Sequence, residues 1–255
     1  MRNLIIAFSA ISVVILFFIT YPFLALIYTV NPKLLAQTLW IPEAINALIL
    51  ALKAATLSTI ILILLGVPLA YILVHTSFPG KGLIEAIIDL PLIIPHAVVG
   101  ILLLISFGPK TPIGYILSHI GIILEDSFWA IVAVFMFVSA PLLVDCAKDG
   151  FASIDPALEG VARSLGAGPF YTFFRISLPL AVRSILTGAL LAWARAMSEV
   201  GALLIIAYWP KTINILVIEW FNQYGLGYAV ALTAILLPIS VTVFAILRTI
   251  LRWKG

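Results

Sequence analysis

The sequence predicts an all-α membrane protein with six transmembrane helices, both chain termini in the cytoplasm, and a short cytoplasmic helix between the fourth and fifth spans. Three observations predict this fold class. First, 64% of the 255 residues are hydrophobic and only 10% are charged, whereas a soluble domain is about half apolar and about a quarter charged. Second, six apolar stretches have roughly the 20 residues that one crossing of a bilayer requires. Third, lysine and arginine are unequally distributed between the loops of the two sides.

The predicted spans cover residues 4–30, 46–75, 87–107, 127–147, 182–208 and 228–250. The first is much longer than the apolar part of a secretion signal, which has about 7–15 residues, so we expect it to be retained. Pro91 and Pro95 interrupt the third span and indicate a bent or broken helix. No matching interruption is evident in the second half of the chain. We divide the chain into residues 1–45, with the first span and an outer loop, and residues 46–255, with the remaining spans.

Basic residues orient the spans, because cytoplasmic loops of membrane proteins are enriched in lysine and arginine. With the amino terminus inside, nine basic residues lie on the inner side and three on the outer side, while Lys53 and Arg195 fall within spans. The inner residues are Arg2, Lys81, Lys148, Arg163, Arg175, Arg183, Arg248, Arg252 and Lys254; the outer ones are Lys33, Lys110 and Lys211. The outer loops 108–126 and 209–227 contain apolar stretches that fit either short helices or ordinary packed loops.

Several function classes lack their sequence signatures. The chain contains no G-x4-G-K-[ST] phosphate loop, since Gly80-Lys81-Gly82 supplies only the Gly-Lys pair. Neither an H-E-x-x-H zinc helix nor a G-x-S-x-G elbow occurs, and the three histidines are scattered. We therefore expect no enzyme, no catalytic residues and no metal site. The single cysteine excludes an internal disulfide, and the absence of a long basic run argues against nucleic-acid binding.

Residues 155–166 predict a capped amphipathic helix. Asp155 suits the N-cap and Pro156 the first helical position, and Gly166 is placed to end the helix in a left-handed conformation. The spacing i, i+3, i+4, i+7 puts four apolar residues on one face: Leu158, Val161, Ala162 and Leu165. Glu159, Arg163 and Ser164 lie elsewhere on the helix. At about 15 Å the helix cannot cross a bilayer, so its apolar face packs either on the chain's own spans or on a partner protein.

The loop 155–179 resembles the EAA loop of binding-protein-dependent ABC import permeases. Gly166, Ile176, Leu178 and Pro179 reproduce the spacing G-x9-I-x-L-P. In that family the loop forms a cytoplasmic coupling helix that docks on an ATP-hydrolysing subunit. Its Glu-Ala-Ala aligns here with Gly160-Val161-Ala162, and the acid stands one position earlier, at Glu159. The resemblance assigns ATPase docking to Asp155, Leu158, Glu159, Val161, Ala162, Arg163, Leu165 and Gly166.

The segment 194–202, Ala-Arg-Ala-Met-Ser-Glu-Val-Gly-Ala, looks like the fifth span of the molybdate, tungstate and sulfate permeases. This second resemblance implies a type I importer subunit for a tetrahedral oxyanion. It also implies a homodimer in the lipid bilayer, two ATP-binding subunits that hold ATP and Mg, and an extracytoplasmic oxyanion-binding protein. The chain itself then needs no cofactor. The alternatives are a permease for sulfate or another solute, and a secondary transporter driven by an ion gradient.

Ionisable residues inside spans usually face the bundle or a wet cavity. Arg195 and Glu199 are four residues apart and can pair on one helix face. The pair fits two interpretations: it fixes helix packing, or Arg195 and Lys53 make a translocation path electropositive. His96 fits a packed, hydrogen-bonded histidine or a gate residue, and Glu85 and Asp89 are expected to be solvated or paired locally. The candidates for the path or gate are Lys53, His96, Arg195, Ser198 and Glu199.

Overall fold

The structure, a computed structural model, describes the backbone of residues 2–253, and this part of the chain is helical without any β-strand. Lys254, which belongs to the basic residues predicted for the inner side, lies outside the described residues. In chain order the α-helices are α1 Arg2–Thr29, α2 Pro32–Thr38, α3 Pro42–His75, α4 Lys81–Ile93, α5 His96–Phe107, α6 Pro112–His119, α7 Phe128–Ala152, α8 Pro156–Ser164, α9 Pro169–Thr172, α10 Leu178–Met197, α11 Leu203–Ile206, α12 Ile213–Tyr224 and α13 Leu226–Trp253. A π-helical turn, Phe173–Ser177, joins α9 to α10.

Five segments of the described chain are long and apolar enough to cross a membrane, and a sixth is present if one bent pair of helices counts as a span. The five are Ile11–Thr29, Pro42–His75, Phe128–Ala152, Pro169–Met197 and Leu226–Ile246, and the pair is α5 with α6, which meet at 74°. The predicted third span, 87–107, is broken, as its prolines indicate. It contains the end of α4, a break at residues 94–95, and α5.

α7 packs against both α3 and α10, and these two helices also contact each other. Ile131, Phe135 and Leu143 of α7 are fully buried, and burial of one such side chain stabilises the fold by about 1.5–3 kcal/mol. Glycines allow close approach here: a Cβ on Gly188 of α10 would lie 2.7 Å from the Cβ of Cys146 on α7. α1, in contrast, keeps most of its described apolar side chains exposed, as expected for a helix that faces lipid.

α3 and α10 run antiparallel. α3 begins near Lys211, which contacts Glu43, and ends at His75 beside α8; α10 starts beside α8 and ends near Asn214. We call the end of the bundle that carries α8 the α8 end, and the opposite end the far end. The loops 108–126 and 209–227, which the sequence predicts as either short helices or ordinary packed loops, contain the short helices α6 and α12. The prediction of short helices is confirmed.

Two helix breaks touch each other inside the bundle. The first lies between α4 and α5 at Pro95, as the proline predicts. The second lies between α10 and α11, residues 198–202, so the prediction of a continuous fifth span over 182–208 is wrong. The expectation that the first break has no counterpart is wrong as well. The breaks meet at two glycines: a Cβ on Gly100 would lie 2.6 Å from the carbonyl oxygen of Ala202, and one on Gly201 would lie 2.6 Å from the Cβ of His96.

Candidate functional site

α8 is capped at both ends as the sequence predicts. The Asp155 carboxylate accepts a hydrogen bond from the backbone N–H of Ala157 at 2.9 Å, and Pro156 occupies the first turn. Gly166 has a φ of 88°, a left-handed conformation that glycine adopts without steric penalty. The Ala167 N–H then reaches back to the carbonyl oxygen of Ala162 at 3.0 Å. The helix therefore begins and ends where its local sequence dictates.

The inner side of α8 is held by the Glu159 carboxylate, whose side chain is only 5% exposed. His75 Nε2, at the end of α3, lies 3.0 Å from it, the Ser177 hydroxyl donates to it at 2.5 Å, and Arg163 donates at 3.0 Å. Burial raises the pKa of Glu159, but the hydrogen bond from Ser177 and the charges of His75 and Arg163 outweigh burial, so this pKa lies below its ordinary value. Glu159 thus ties α8 to α3 and to the π-helical turn.

The His75 ring is oriented for this contact. Its Nδ1 lies 3.0 Å from the carbonyl oxygen of Tyr71, and its ring stacks on the Tyr71 ring with centroids 4.0 Å apart. Both ring nitrogens consequently face oxygen acceptors, an arrangement that the protonated imidazolium satisfies completely. Neither His75 nor Ser177 was a candidate from the sequence, because they lie 84 and 18 residues away from Glu159 along the chain.

The outer side of α8 is an exposed apolar face. Leu158 is 49% exposed, Val161 60% and Leu165 83%, whereas Ala162 is buried. Of these four residues only Ala162 is covered by this chain itself, and the other three remain free to contact a partner protein. An open groove with Tyr171 and Ile176 continues this face. Exposed side chains of this size gain free energy when a second surface removes them from water.

A second cluster lies where the two helix breaks meet. The Arg195 guanidinium donates to Oε2 of Glu199 at 3.1 Å, as the four-residue spacing predicts. His96 Nδ1 lies 2.5 Å from the same oxygen. Because a carboxylate oxygen only accepts, Nδ1 carries the proton, and the Arg195 nitrogen 2.9 Å from Nδ1 is a packing neighbour instead of a donor to it. Ser198 stands 3.5 Å from the other guanidinium nitrogen.

The break at residues 198–202 has its free backbone groups paired by side chains. Glu199 Oε1 accepts from the Ala202 N–H at 2.9 Å. Asn214 of α12 donates to the carbonyl oxygens of Met197 and Glu199 at 2.7 and 3.0 Å. These bonds replace the helical hydrogen bonds that the break removes. Asn214 is a residue that sequence reasoning missed, since nothing in the local pattern around it signals a partner on α10.

Lys53 has no ion-pair partner within residues 2–253 and its side chain is exposed. Three residues later on α3, Thr56 accepts a hydrogen bond from the Trp193 indole on α10 at 3.3 Å. Since the two helices are antiparallel, Lys53 lies at about the height of Ala196 on α10. Lys53 and Ser198 are exposed and Arg195 is partly exposed. The structure thus puts all five candidates for the path or gate at a similar depth in the bundle.

The two acidic residues of α4 differ from each other. Glu85 pairs with Lys148 of α7 at 3.0 Å, an ion pair between two helices instead of the local pairing that the sequence led us to expect. Asp89 keeps one carboxylate oxygen buried without a hydrogen-bond partner among the described residues. No set of three or more histidine, cysteine, aspartate or glutamate side chains in residues 2–253 is arranged to hold a metal ion.

Comparison with known proteins identifies the family. The family model described as the inner membrane component of binding-protein-dependent transport systems matches residues 62–254, which include α8 and both helix breaks. The chain belongs to this family. Its permease relatives include the molybdate/tungstate transport system permease protein WtpB of Pyrococcus abyssi, 44% identical over 243 residues that cover 94% of this chain and 93% of the relative. The protein of the same name from Methanocaldococcus jannaschii is 42% identical over 257 residues and covers both chains completely.

The fold also matches a solved importer. A bacterial alginate ABC transporter, determined in complex with an alginate pentasaccharide-bound periplasmic protein, superposes with a TM-score of 0.76. The match covers 96% of this chain and 93% of the other at 18% sequence identity. At that identity the likeness supports the fold alone.

Proposed function

We propose that the protein is the membrane subunit of an ATP-driven importer that carries a tetrahedral oxyanion, molybdate or tungstate, across the cytoplasmic membrane. Two kinds of support converge on this function. Two relatives that match nearly the whole chain carry the name molybdate/tungstate transport system permease. The structure adds a helix whose inner side is fixed to the transmembrane bundle and whose outer side is apolar and exposed.

The observation that carries the proposal is this division of α8 into two sides. Glu159 links α8 to the end of α3, so a force on α8 reaches the transmembrane helices through a buried hydrogen-bonded contact. Leu158, Val161 and Leu165 offer the apolar surface that a partner needs to grip the helix. A lever of this kind suits a subunit whose energy comes from ATP bound and hydrolysed on another chain.

The orientation follows from the basic residues. The loops with nine lysine and arginine residues, α8 among them, face the cytoplasm, and the loops with three face outward. Both chain termini are then cytoplasmic. Two copies of the permease and two ATP-binding subunits, which hold ATP and Mg, form the complex, and an extracytoplasmic oxyanion-binding protein delivers the anion to the far end. The permease performs no covalent chemistry.

The exposed surfaces of α3 and α10 fit a path between two copies. Lys53 on α3 and Ser198 after α10 are exposed at similar height, and Arg195 is partly exposed between them. Charged side chains within spans need water or a protein partner. A translocation path along the twofold axis supplies both. ATP binding draws the two ATP-binding subunits together, moves α8 and turns the path outward; hydrolysis returns it to the inward state.

The test is uptake into sealed vesicles that contain the permease, its ATP-binding subunits and the loaded binding protein. We expect radiolabelled molybdate and tungstate to accumulate only with ATP and with the binding protein, and an excess of sulfate to compete weakly. Strong accumulation of sulfate under the same conditions would assign the protein to sulfate instead. Absence of ATP-dependent uptake of all three anions would refute the proposal.

A secondary transporter is the second candidate, because the paired breaks at residues 94–95 and 198–202 resemble the discontinuous helices of such proteins. The same vesicles distinguish it. Permease alone, with an imposed proton or sodium gradient and no ATP-binding subunit, should show no uptake if the importer proposal is right. Gradient-driven uptake by the permease alone would establish the second candidate.

A further inference from the structure

We propose that Arg195, His96 and Ser198 form a weak transit subsite for a tetrahedral dianion, and that the Glu199 carboxylate takes the anion's place while the subsite is empty. The inference rests on the proposed function and deepens it, because it says where the oxyanion is held inside the membrane. It also joins the two interpretations of the Arg195–Glu199 pair: the pair is structural in the empty protein and exchanges partners when the anion passes.

The polar groups of the subsite converge on one accessible place, and the Ser198 hydroxyl, which donates to the Arg195 carbonyl oxygen at 2.9 Å in the empty protein, turns from that oxygen to reach an anion. The Arg195 guanidinium lies 2.9 Å from His96 Nδ1 and 3.5 Å from the Ser198 hydroxyl. The His96 side chain is 51% exposed and that of Arg195 20%, and Ser198 is exposed. His96 also opens α5, whose first backbone N–H groups have no acceptor within the helix and carry its positive dipole end. A guanidinium fork, an imidazole and a hydroxyl together suit an oxyanion of tetrahedral shape.

Glu199 holds the place of the anion with only one of its oxygens. Oε1 accepts from the Ala202 N–H and remains fixed in the helix break. Oε2 is the oxygen shared by Arg195 and His96. An incoming dianion therefore competes with Oε2 for its two partners, Arg195 and His96, while Glu199 stays anchored through Oε1; both partners turn back to Oε2 when the anion leaves. Because Glu199 is fully buried, it cannot swing into solvent during the exchange.

The charges explain why such a subsite binds weakly. Arg195 and Glu199 cancel, and Lys53 at similar height adds a positive charge that has no ion-pair partner among the described residues. A dianion gains the Arg195 contact only by removing that contact from Glu199, so the exchange is close to balanced. A transit site needs this balance, since binding must favour entry yet permit departure. Selection of the substrate is then left to the binding protein.

Protection of a cysteine tests the subsite directly. Ala97 is exposed beside His96, so Ala97→Cys is made in a Cys146→Ala background, in which it is the single cysteine of the chain. The whole importer is kept in native membranes and treated with an anionic thiosulfonate reagent. We expect molybdate or sulfate to slow the modification, with half-protection at about millimolar concentrations, relative to chloride at equal ionic strength. Thr187 is exposed on α10, about 16 Å from Ser198 along the helix, so a cysteine in Thr187→Cys should not be protected.

Two further substitutions must act in opposite directions. Glu199→Gln removes the resident charge and should lower the concentration for half-protection at least threefold, while uptake turnover falls because the anion leaves slowly. Ser198→Ala should raise that concentration at least threefold with normal membrane abundance. If Glu199→Gln does not assemble, the Ser198→Ala measurement decides alone. Equal protection by chloride and by dianions would overturn the subsite, and so would an unchanged half-protection concentration in Ser198→Ala. Since protection needs no ATP, these results are independent of whether the importer proposal holds.

Discussion

His75 at the end of α3 and Glu159 in the middle of α8 are in direct contact, with Nε2 and Oε1 3.0 Å apart. The two residues are 84 positions apart in the chain, and their contact joins the longest helix of the bundle to the short helix that we propose to dock on an ATPase. Movement of α8 is therefore transmitted to a helix that also carries Lys53.

Glu159→Gln should loosen α8 without unfolding the bundle. The amide cannot pair with the charges of Arg163 and His75, and the loss of a charged, mostly buried hydrogen-bond acceptor costs about 1.5–3 kcal/mol. Backbone amides of α8 should consequently exchange with deuterium at least about tenfold faster, while those of α7 are unchanged. Glu125→Gln, the same substitution at an exposed residue, serves as the control. Identical exchange of α8 in wild type and Glu159→Gln would show that the contact does not hold the helix.

Acidification should loosen α8 in the wild type by the same route. The pKa of Glu159 in the folded protein lies below its ordinary value, so its stabilising contribution is complete above the ordinary carboxyl range and is lost as the pH falls through the folded pKa. We expect hydrogen exchange in α8 to accelerate below about pH 4, after correction for the intrinsic rate. In Glu159→Gln this acceleration should be missing. If exchange in α8 accelerates equally in both proteins as the pH falls, groups other than Glu159 cause the effect.

Asn214→Leu should destabilise the break between α10 and α11. The substitution leaves the carbonyl oxygens of Met197 and Glu199, both in buried residues, without their donor, at a cost of about 1–3 kcal/mol. Thermal unfolding of the purified protein in detergent measures this as a lower midpoint. Asn222→Leu on the same helix is the matched control, because Asn222 is exposed; it should change stability by less than about 0.5 kcal/mol. Equal midpoints for the two variants would contradict the proposed role of Asn214.

Charge on the outer side of α8 should separate ATP hydrolysis from transport. Leu158→Asp and Leu165→Asp each place a carboxylate in the apolar contact, where burial of an unpaired charge is unfavourable. We expect oxyanion uptake in reconstituted vesicles to fall at least about tenfold. We also expect the binding protein to lose its ability to stimulate ATPase activity. Ser164→Asp, exposed on another side of α8, should retain both activities. Intact coupling in the two leucine variants would show that this face is not the docking surface.

Local signals account for the parts that the sequence predicted correctly. The bounds of α8 follow from Asp155, Pro156 and Gly166, each of which acts within one helical turn. The break before α5 follows from Pro95, and the Arg195–Glu199 pair follows from helical spacing. The families implied by the loop 155–179 and the segment 194–202 agree with the family found by comparison.

The features that the sequence did not predict depend on contacts between segments that are distant along the chain. The break at residues 198–202 contains no proline, and the apolar stretch 182–208 around it fits a continuous span. The break exists because Asn214 and the Glu199 side chain pair the free backbone groups. The burial of Glu159 depends on His75 and Ser177, which the sequence does not place beside it. The sequence also does not reveal which apolar faces stay uncovered after folding, so the exposure of Leu158 and Leu165 is known only from the structure.

Crosslinking from the centre of the exposed face tests the central claim most directly. Val161→Cys in the Cys146→Ala background carries a cysteine-linked photocrosslinker in native membranes, and Leu64→Cys, exposed on α3, is the control. We predict that Val161 captures the ATP-binding subunit, identified by mass spectrometry, with a yield that changes on addition of ATP, and that Leu64 does not. If Val161 captures only lipid or segments of this same chain, α8 is not the docking helix of an ATP-driven importer.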